Sequence, residues 1–399
     1  MIKLSNIGEL ATYHPREGKV RINHNTELFI SDQHITASTG EQVEKIIDCQ
    51  GKLVTPGFVD PHTHPVFYRG RQDEFAQRLA GATYQEIAAA GGGIRSSIAG
   101  VRSASHDELI RRTSARLDRF AALGTTTIEA KSGYGLSSEA ELKSLAVLGE
   151  LNESHPLDIL PTFLGAHAFP AEYSDLPDEY VELICDEMIP AVARQGIAKF
   201  CDVFCENGYY TVEQSRRILE TAKNFGLTPR LHADEFEDSG AAQLAAEVEA
   251  LSADHLMAIS PAGIEALRSS KVIATLLPGT TFFLGQSNYA PARTLLDNGI
   301  TVALATDFNP GSCHIQSMPF IISLATIQMG MSLNEAFAAA TYFAAQSLGI
   351  ATSVGHLSEG AQADFIIWGV DHLAEIPYTV TDLPIHAVYK RGRKIFGLD

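Results

Sequence analysis

Across the middle of the chain, apolar runs of strand length alternate with helical stretches, a pattern that predicts buried parallel strands joined by crossover helices. The runs are Gly57 to Asp60, Thr125 to Ala130, Leu157 to Leu164, Lys199 to Cys205, Thr228 to His232, Glu249 to Asp254, Val272 to Leu277 and Thr301 to Thr306. Eight strand–helix units predict an α/β fold closed into a (β/α)8 TIM-like barrel. Helix starts are signalled at Ser138 with Glu141, Thr211 with Gln214 and Ser332 with Glu335, all at capping-box spacing, and at Ser260 before Pro261. An open doubly wound sheet is the rival. No GxGxxG follows a strand, however, and Gly91-Gly92-Gly93 reads as a flexible loop rather than a phosphate cradle.

The two ends of the chain have a different pattern. Lys19 to Ile22, Glu27 to Ile30 and Lys45 to Asp48 read as short strands bounded by Gly, Asn, Asp or Ser. Ala363 to Gly369 and Ile385 to Phe396 repeat the style, the latter with charges suited to an exposed edge. Neither end has enough strands for a stable sheet, so both are expected to combine into one small composite β-sandwich domain. The expected division is 1–55 for its first part, 56–350 for the barrel and 351–399 for its second part.

Of the 399 residues, 45% are hydrophobic, which is ample for a large core. The formal net charge of −18 opposes binding to nucleic acid or acidic membrane surfaces, so an anionic ligand would need local positive groups. Five cysteines, Cys49, Cys185, Cys201, Cys205 and Cys313, are scattered and odd in number, which fits a reducing compartment better than a disulfide framework. Cys201 and Cys205 lack CxxC spacing and read as buried strand thiols. No secretory h-region opens the sequence and no run of 18 apolar residues occurs, so a cytoplasmic protein is expected.

In such barrels the functional groups sit at the C-terminal ends of strands. Here the first strand ends in Asp60-Pro61-His62-Thr63-His64, the third runs into His167, the fifth into His232-Ala233-Asp234-Glu235, the sixth into Asp254-His255 and the eighth into Asp307. On extended backbone His62 and His64 point to one side and can grip one ion. His232 and Asp307 would complete a nitrogen-rich site suited to Zn²⁺ or Fe²⁺. Taken singly, His232 could be a core histidine and Asp307 an Asx turn or helix cap before Asn309-Pro310-Gly311. Glu235 could face a water activated by the ion and act as general base, or begin an acidic solvated run with Asp234 and Glu237. His255 could polarise a carbonyl or relay a proton, or be a structural histidine paired with Asp254.

His62-Thr63-His64, His232 with Glu235, His255 and Asp307 resemble, in order and over the whole chain, the metal-and-base constellation of the amidohydrolase superfamily. Longer stretches, VTPGFVDPHTHPVFYRGRQDEF (54–75), GTTTIEAKSGYGL (124–136), TFLGAHAFP (162–170), FCENGYY (204–210), LHADEF (231–236) and ATDFNPGS (305–312), resemble the imidazolonepropionase family. That resemblance implies hydrolysis of 4-imidazolone-5-propanoate to N-formimidoyl-L-glutamate in histidine degradation, with Zn²⁺ or Fe. It implies His62, His64, His232 and Asp307 as ligands, and Glu235 and His255 as catalytic groups. Arg71, Tyr134, His167, Glu235 and Ser312 would touch the substrate, and Asn309 and Gly311 would help hold the product. Arg71 suits the propanoate because a guanidinium stays charged and binds a carboxylate bidentately.

Many members of the superfamily that the chain resembles bridge two metals with a carboxylated lysine at the end of the fourth strand; this strand lacks one, so the resemblance implies a single divalent metal, and Lys131 alone leaves a binuclear site open. The expected partners are a small anionic substrate and a second copy of the chain in a homodimer, with neither nucleic acid nor membrane. The nearest rival activity is deamination of a purine, pyrimidine or related ring, which the same groups could support and which would release ammonia. A barrel that has lost catalysis and serves in assembly is a rival of another class, and a metal assay would expose it.

Overall fold

The computed structural model describes residues 1–37, 42–82, 86, 91–382 and 384–397. The chain opens with β1 (Ile2–His14), paired antiparallel along its length with β2 (Lys19–Ser31). The two short strands expected at Lys19 to Ile22 and Glu27 to Ile30 are therefore one strand, and β1 itself was not anticipated. Both contain weak strand formers: Asn6 and Asn25 take φ of 54° and 49°, and the β1–β2 register shifts between Leu4 and Ile7. Cross-strand pairing overrides that local preference. Next come β3 (His34–Thr36), β4 (Lys45–Asp48) and β5 (Leu53–Pro56).

The barrel follows, with strands β6 (Phe58–Asp60), β7 (Thr125–Lys131), β8 (Asp158–Ala166), β9 (Phe200–Cys205), β10 (Thr228–Ala233), β11 (Ser252–His255), β12 (Ile273–Leu276) and β13 (Val302–Leu304). They form one eight-stranded sheet in sequence order, and each neighbouring pair is parallel. Every strand expected from the apolar runs is present. The first and last strands meet just beyond their ends: the His64 N–H donates to the Phe308 carbonyl (2.8 Å) and the Asp307 N–H to the His62 carbonyl (3.1 Å). Asp60 reinforces this seam, its carboxylate accepting from the Thr306 N–H at 3.1 Å and the Thr306 hydroxyl at 2.5 Å. Thus the closure of the barrel brings together the two segments that carry His62, His64 and Asp307.

Capping boxes form at Thr211 with Gln214 and Ser332 with Glu335, and Ser260 caps the helix that starts at Pro261. A further box, at Ser105 with Glu108, was not anticipated. The box expected at Ser138 and Glu141 does not form. Ser137 caps that helix instead, and the buried Glu141 carboxylate accepts from the N–H groups of Gly133 (2.9 Å), Gly135 (2.8 Å) and Leu136 (2.8 Å). Glu141 thereby shapes the loop after β7 that presents Tyr134.

After the barrel come β14 (Phe365–Trp368), β15 (Ile385–Lys390) and β16 (Arg393–Gly397). The single strand expected over Ile385 to Phe396 is a hairpin. Arg391 and Gly392 turn it with φ of 49° and 74°, the two left-handed residues that a tight two-residue turn requires. The two chain ends combine as expected, into one mixed sheet ordered β16-β15-β14-β5-β1-β2-β3, with β4 also pairing with β1. Lys390 fastens this sheet to the barrel, its Nζ lying 2.6 Å from Asp364 and 2.7 Å from Asp158 at the start of β8. Cys201 and Cys205 are buried in β9, and all five cysteines are buried and unpaired. Among the described residues no helix is long and apolar enough to cross a membrane.

Candidate active site

The segment after β6 stays extended because both its edges are bonded: the Thr63 carbonyl accepts from the Lys131 N–H at 3.0 Å, while His64 bonds to Phe308 on the other side. Thr63 faces β7, its hydroxyl donating to the Glu129 carbonyl at 2.6 Å. His62 and His64 consequently face the barrel axis, with their Nε2 atoms 3.2 Å apart. Asp307 Oδ1 lies 3.6 Å from His62 Nε2 and 3.5 Å from His64 Nε2, and Thr280 fixes its other oxygen with a 2.5 Å hydrogen bond. His232 completes a three-imidazole group whose ligand atoms all lie within 4.8 Å of one another. All four residues are buried.

Acidic groups behind the imidazoles set their orientation. His62 Nδ1 is 2.7 Å from Asp254 Oδ2, and His232 Nδ1 is 3.0 Å from Asp202 Oδ1. A carboxylate can only accept, so each Nδ1 carries the proton and each Nε2 presents a lone pair to the centre. Burial, followed by the neighbouring Lys131 ammonium for His62 and the His167 ring for His64, holds both imidazoles well below the usual histidine range and keeps them neutral. Lone pairs and a carboxylate oxygen converging with no proton between them are what a divalent cation satisfies, so the residues fit a metal centre.

The supporting charges lie deeper. Lys131 Nζ bridges Glu129 Oε1 and Asp202 Oδ2, both at 2.8 Å, and Arg230 donates to Asp254 at 3.2 Å, to the Pro61 carbonyl at 2.8 Å and to the Ser347 carbonyl at 2.6 Å. Burial opposes the charge on Lys131, but Asp202 and Glu129 outweigh it and hold the ammonium above its ordinary range. It is a structural cation, not a free amine. Asp202 and Arg230 were absent from the sequence reading, although a charged residue inside a strand as apolar as Phe200–Cys205 signals a buried, paired role. Asp254 partners His62 rather than His255.

His255 and Glu235 stand on the cavity side of this centre. Among the described residues neither ring nitrogen of the buried His255 has a hydrogen-bond partner, and Nε2 is 3.7 Å from Glu235 Oε2. Burial, with the carboxylates of Asp307 and Glu206 nearby, pushes the Glu235 carboxyl well above its usual range. Backbone geometry at these positions is unusual: His255 has φ of 83° and Asp307 of 54°. Left-handed backbone at a histidine is costly, which suits a position where side-chain direction matters more than local comfort.

A cavity of about 490 Å³ opens over the centre, lined by the buried His64, His232, Glu235, His255 and Asp307 and by the partly buried Arg71, Glu74 and Arg78. Tyr134, His167, Asn309, Gly311 and Ser312 also line it. Of the ligand, catalytic and substrate-contact residues expected from the sequence, all but His62 line this cavity, and His62 lies against His64 and Asp307. His167 donates from Nδ1 to the Gly133 carbonyl at 2.9 Å, which leaves Nε2 as an acceptor; burial pushes its pKa down to about 3. Burial also keeps the Tyr134 hydroxyl protonated.

Asn309 spends its side chain on its own loop: Oδ1 accepts from Gly311 (2.8 Å) and Ser312 (2.7 Å), and Nδ2 donates to the Asp307 carbonyl (2.7 Å) and Ser312 Oγ (2.9 Å). Its contribution to the cavity is the shape of that loop. Arg71 is paired with Glu74, as a surface arginine would be, yet it also faces the cavity. A Cβ on Gly311 would sit 2.2 Å from Arg71 Nη1, so the guanidinium rests where only glycine leaves room. Gly93, last of the glycine run, takes φ of 73° at the start of helix Ile94–Ser103, and Ile94 lines the cavity.

Residues 68–396 match a family described as the amidohydrolase family. Over 396 residues the chain is 47% identical to imidazolonepropionase of Geobacillus kaustophilus, covering 98% of this chain and 92% of that protein. It is 50% identical over 348 residues to imidazolonepropionase of Brevibacillus brevis, covering 87% of this chain and 82% of that one. Among solved structures, 5-methylcytosine deaminase from Klebsiella pneumoniae superposes with a TM-score of 0.76 at 17% identity, covering 100% of this chain and 98% of that one. An adenosine deaminase from Xanthomonas campestris with bound zinc gives 0.73 at 16%, covering 99% and 93%. At such identities the structural likeness speaks to the fold.

Proposed function

The chain belongs to the amidohydrolase family and, within it, to the imidazolonepropionases, and on that premise we propose how its residues open the ring of 4-imidazolone-5-propanoate to give N-formimidoyl-L-glutamate. It is a hydrolase acting on a carbon–nitrogen bond of a cyclic amide. The observation that carries the assignment of roles is that one cavity is lined both by a buried His/Asp cluster with Glu235 and by the partly buried Arg71 guanidinium.

His62, His64, His232 and Asp307 would hold one divalent ion, Zn²⁺ or Fe²⁺. When bound, such an ion polarises a carbonyl oxygen and lowers the pKa of a water in its sphere to about 7. The remaining work falls to side chains. Arg71 receives the propanoate carboxylate and sets the ring's distance from the centre. His167 Nε2 accepts a ring N–H and the Tyr134 hydroxyl donates a hydrogen bond, fixing the face open to attack.

Glu235 accepts a proton from the attacking water, whose oxygen bonds to the ring carbonyl carbon. The carbon–nitrogen bond then breaks, and Glu235 returns the proton to the departing nitrogen. Its raised affinity for a proton suits both halves of that cycle. His255, neutral and with no hydrogen-bond partner on either ring nitrogen among the described residues, is placed to hydrogen-bond the carbonyl oxygen as charge develops there. Water adds and no ammonia leaves, which separates this reaction from deamination. The five buried, unpaired cysteines support a cytoplasmic setting.

The direct test incubates metal-loaded protein with freshly prepared imidazolonepropanoate, follows loss of the ring's ultraviolet absorbance and identifies the product by mass. Addition of one water without ammonia is expected. Ammonia release, or an unchanged ring with the metal site filled, would overturn the assignment.

A further inference from the structure

Helix Gln72–Leu79 lies beside the cavity without a buried residue of its own. Its partly buried positions are Glu74, Phe75 and Arg78, continuing the stripe that begins at Arg71, and this stripe is charged where a helix packed on a barrel is ordinarily apolar. Arg71, Glu74 and Arg78 all line the cavity that holds the His/Asp cluster. Arg71 gives Nε and Nη2 to a single Glu74 oxygen, at 2.8 and 2.7 Å. The Arg78 guanidinium lies 5.7 Å from the Phe75 ring and 5.9 Å from the Phe283 ring, and its Nη2 donates to the Gly311 carbonyl at 3.3 Å. Both arginines thus converge on Gly311. Burial, together with the Arg71 charge, lowers Arg78's hold on its proton, a penalty that a bound anion would relieve.

Among the described cavity-lining residues of this stretch, two guanidiniums stand against one carboxylate, a single net positive charge. We propose that Arg78 is a second contact for the propanoate carboxylate beside Arg71, and that Glu74 limits the mouth to one net charge so that it selects monoanionic tails. This inference rests on the substrate assignment above. A monoanion matches the charge left by the three side chains, whereas a dianion leaves one of its carboxylates desolvated and unmatched. Arg78 determines specificity and takes no part in bond making.

The test is calorimetric binding of unreactive ligands to the metal-loaded protein: 3-(imidazol-4-yl)propanoate, its neutral amide, and 2-(imidazol-4-ylmethyl)malonate as the dianion. Arg78→Ala should weaken the propanoate by about 10-fold, the lower end expected for a charge-assisted contact at a half-exposed site, and leave the amide unchanged. Arg78→Lys should fall between, because it keeps the charge and loses the fork. Glu74→Gln should narrow the preference for propanoate over malonate. Melting temperature and metal content check the fold, and Arg78→Gln carries the same test if the alanine variant is unstable. Unchanged propanoate affinity in the Arg78 variants, equal losses for acid and amide, or an unaltered malonate preference in Glu74→Gln would overturn the inference. If the wild type neither binds the propanoate nor opens imidazolonepropanoate, the substrate assignment itself falls; if it does both and the Arg78 variants are silent, only Arg78 does.

Discussion

The floor and the mouth of the cavity are built in different ways. At the floor, each group stands at a barrel strand end: His62 and His64 after β6, His232 in β10, His255 in β11 and Asp307 after β13. Two of them are held from behind by buried charges on other barrel strands, His232 by Asp202 of β9 with Lys131 of β7, and His62 by Asp254 of β11 with Arg230 of β10. The mouth is a short, half-exposed helix and a loop, with Arg71 and Arg78 leaning on Gly311. Strand register places an atom to a fraction of an ångström and lets little move, which suits bond making. A surface helix can be altered without disturbing the barrel, which suits the choice of what is bound.

That contrast can be broken most severely at the floor. Asp307→Ala is expected to lose metal and activity together, measured by elemental analysis alongside turnover; full occupancy with a normal rate would remove Asp307 from the ligands. Glu235→Gln should keep its metal and lose roughly 10²-fold or more in rate, the scale of a deleted acid–base group. Near-normal turnover would move the base to His255. At the mouth, Arg71→Ala should lower kcat/KM by about 10- to 150-fold with metal content unchanged, since a hydrogen bond to a charged group contributes about 1.5–3 kcal/mol. Asp254→Asn should weaken metal affinity by about 10- to 100-fold, read by competition with a chelator, because the His62 ring loses its orienting partner. Unaltered affinity would show that the strand alone aims the imidazole.

The same contrast explains what could be read without coordinates. Barrel strands are continuous apolar runs, so His232 and Asp307 stand out as polar residues at their ends, and the two-residue period puts His62 and His64 on one side. The buried supports were harder to see. Asp202 and Arg230 sit within strands and acquire meaning only when β9, β10 and β11 lie side by side. Glu141 matched a capping pattern one residue out of register, and tertiary contacts drew it to the Tyr134 loop. In the composite sheet, Asn6 and Asn25 hid a long pair of strands, while the Arg391-Gly392 turn was signalled by its glycine and read past. Arg78 could not be assigned from spacing, because nothing in the sequence says which face of a polar helix turns inward.

The measurement that tests this division most directly is the ratio of kcat/KM for imidazolonepropanoate to that for its neutral propanamide analogue, taken in the wild type, Glu235→Gln and Arg71→Ala. Glu235→Gln should slow both substrates by the same factor and leave the ratio unchanged. Arg71→Ala should slow mainly the acid and bring the ratio down toward one. If Arg71→Ala slows acid and amide equally, the mouth does not read the carboxylate, and the division between a floor that reacts and a mouth that selects is wrong.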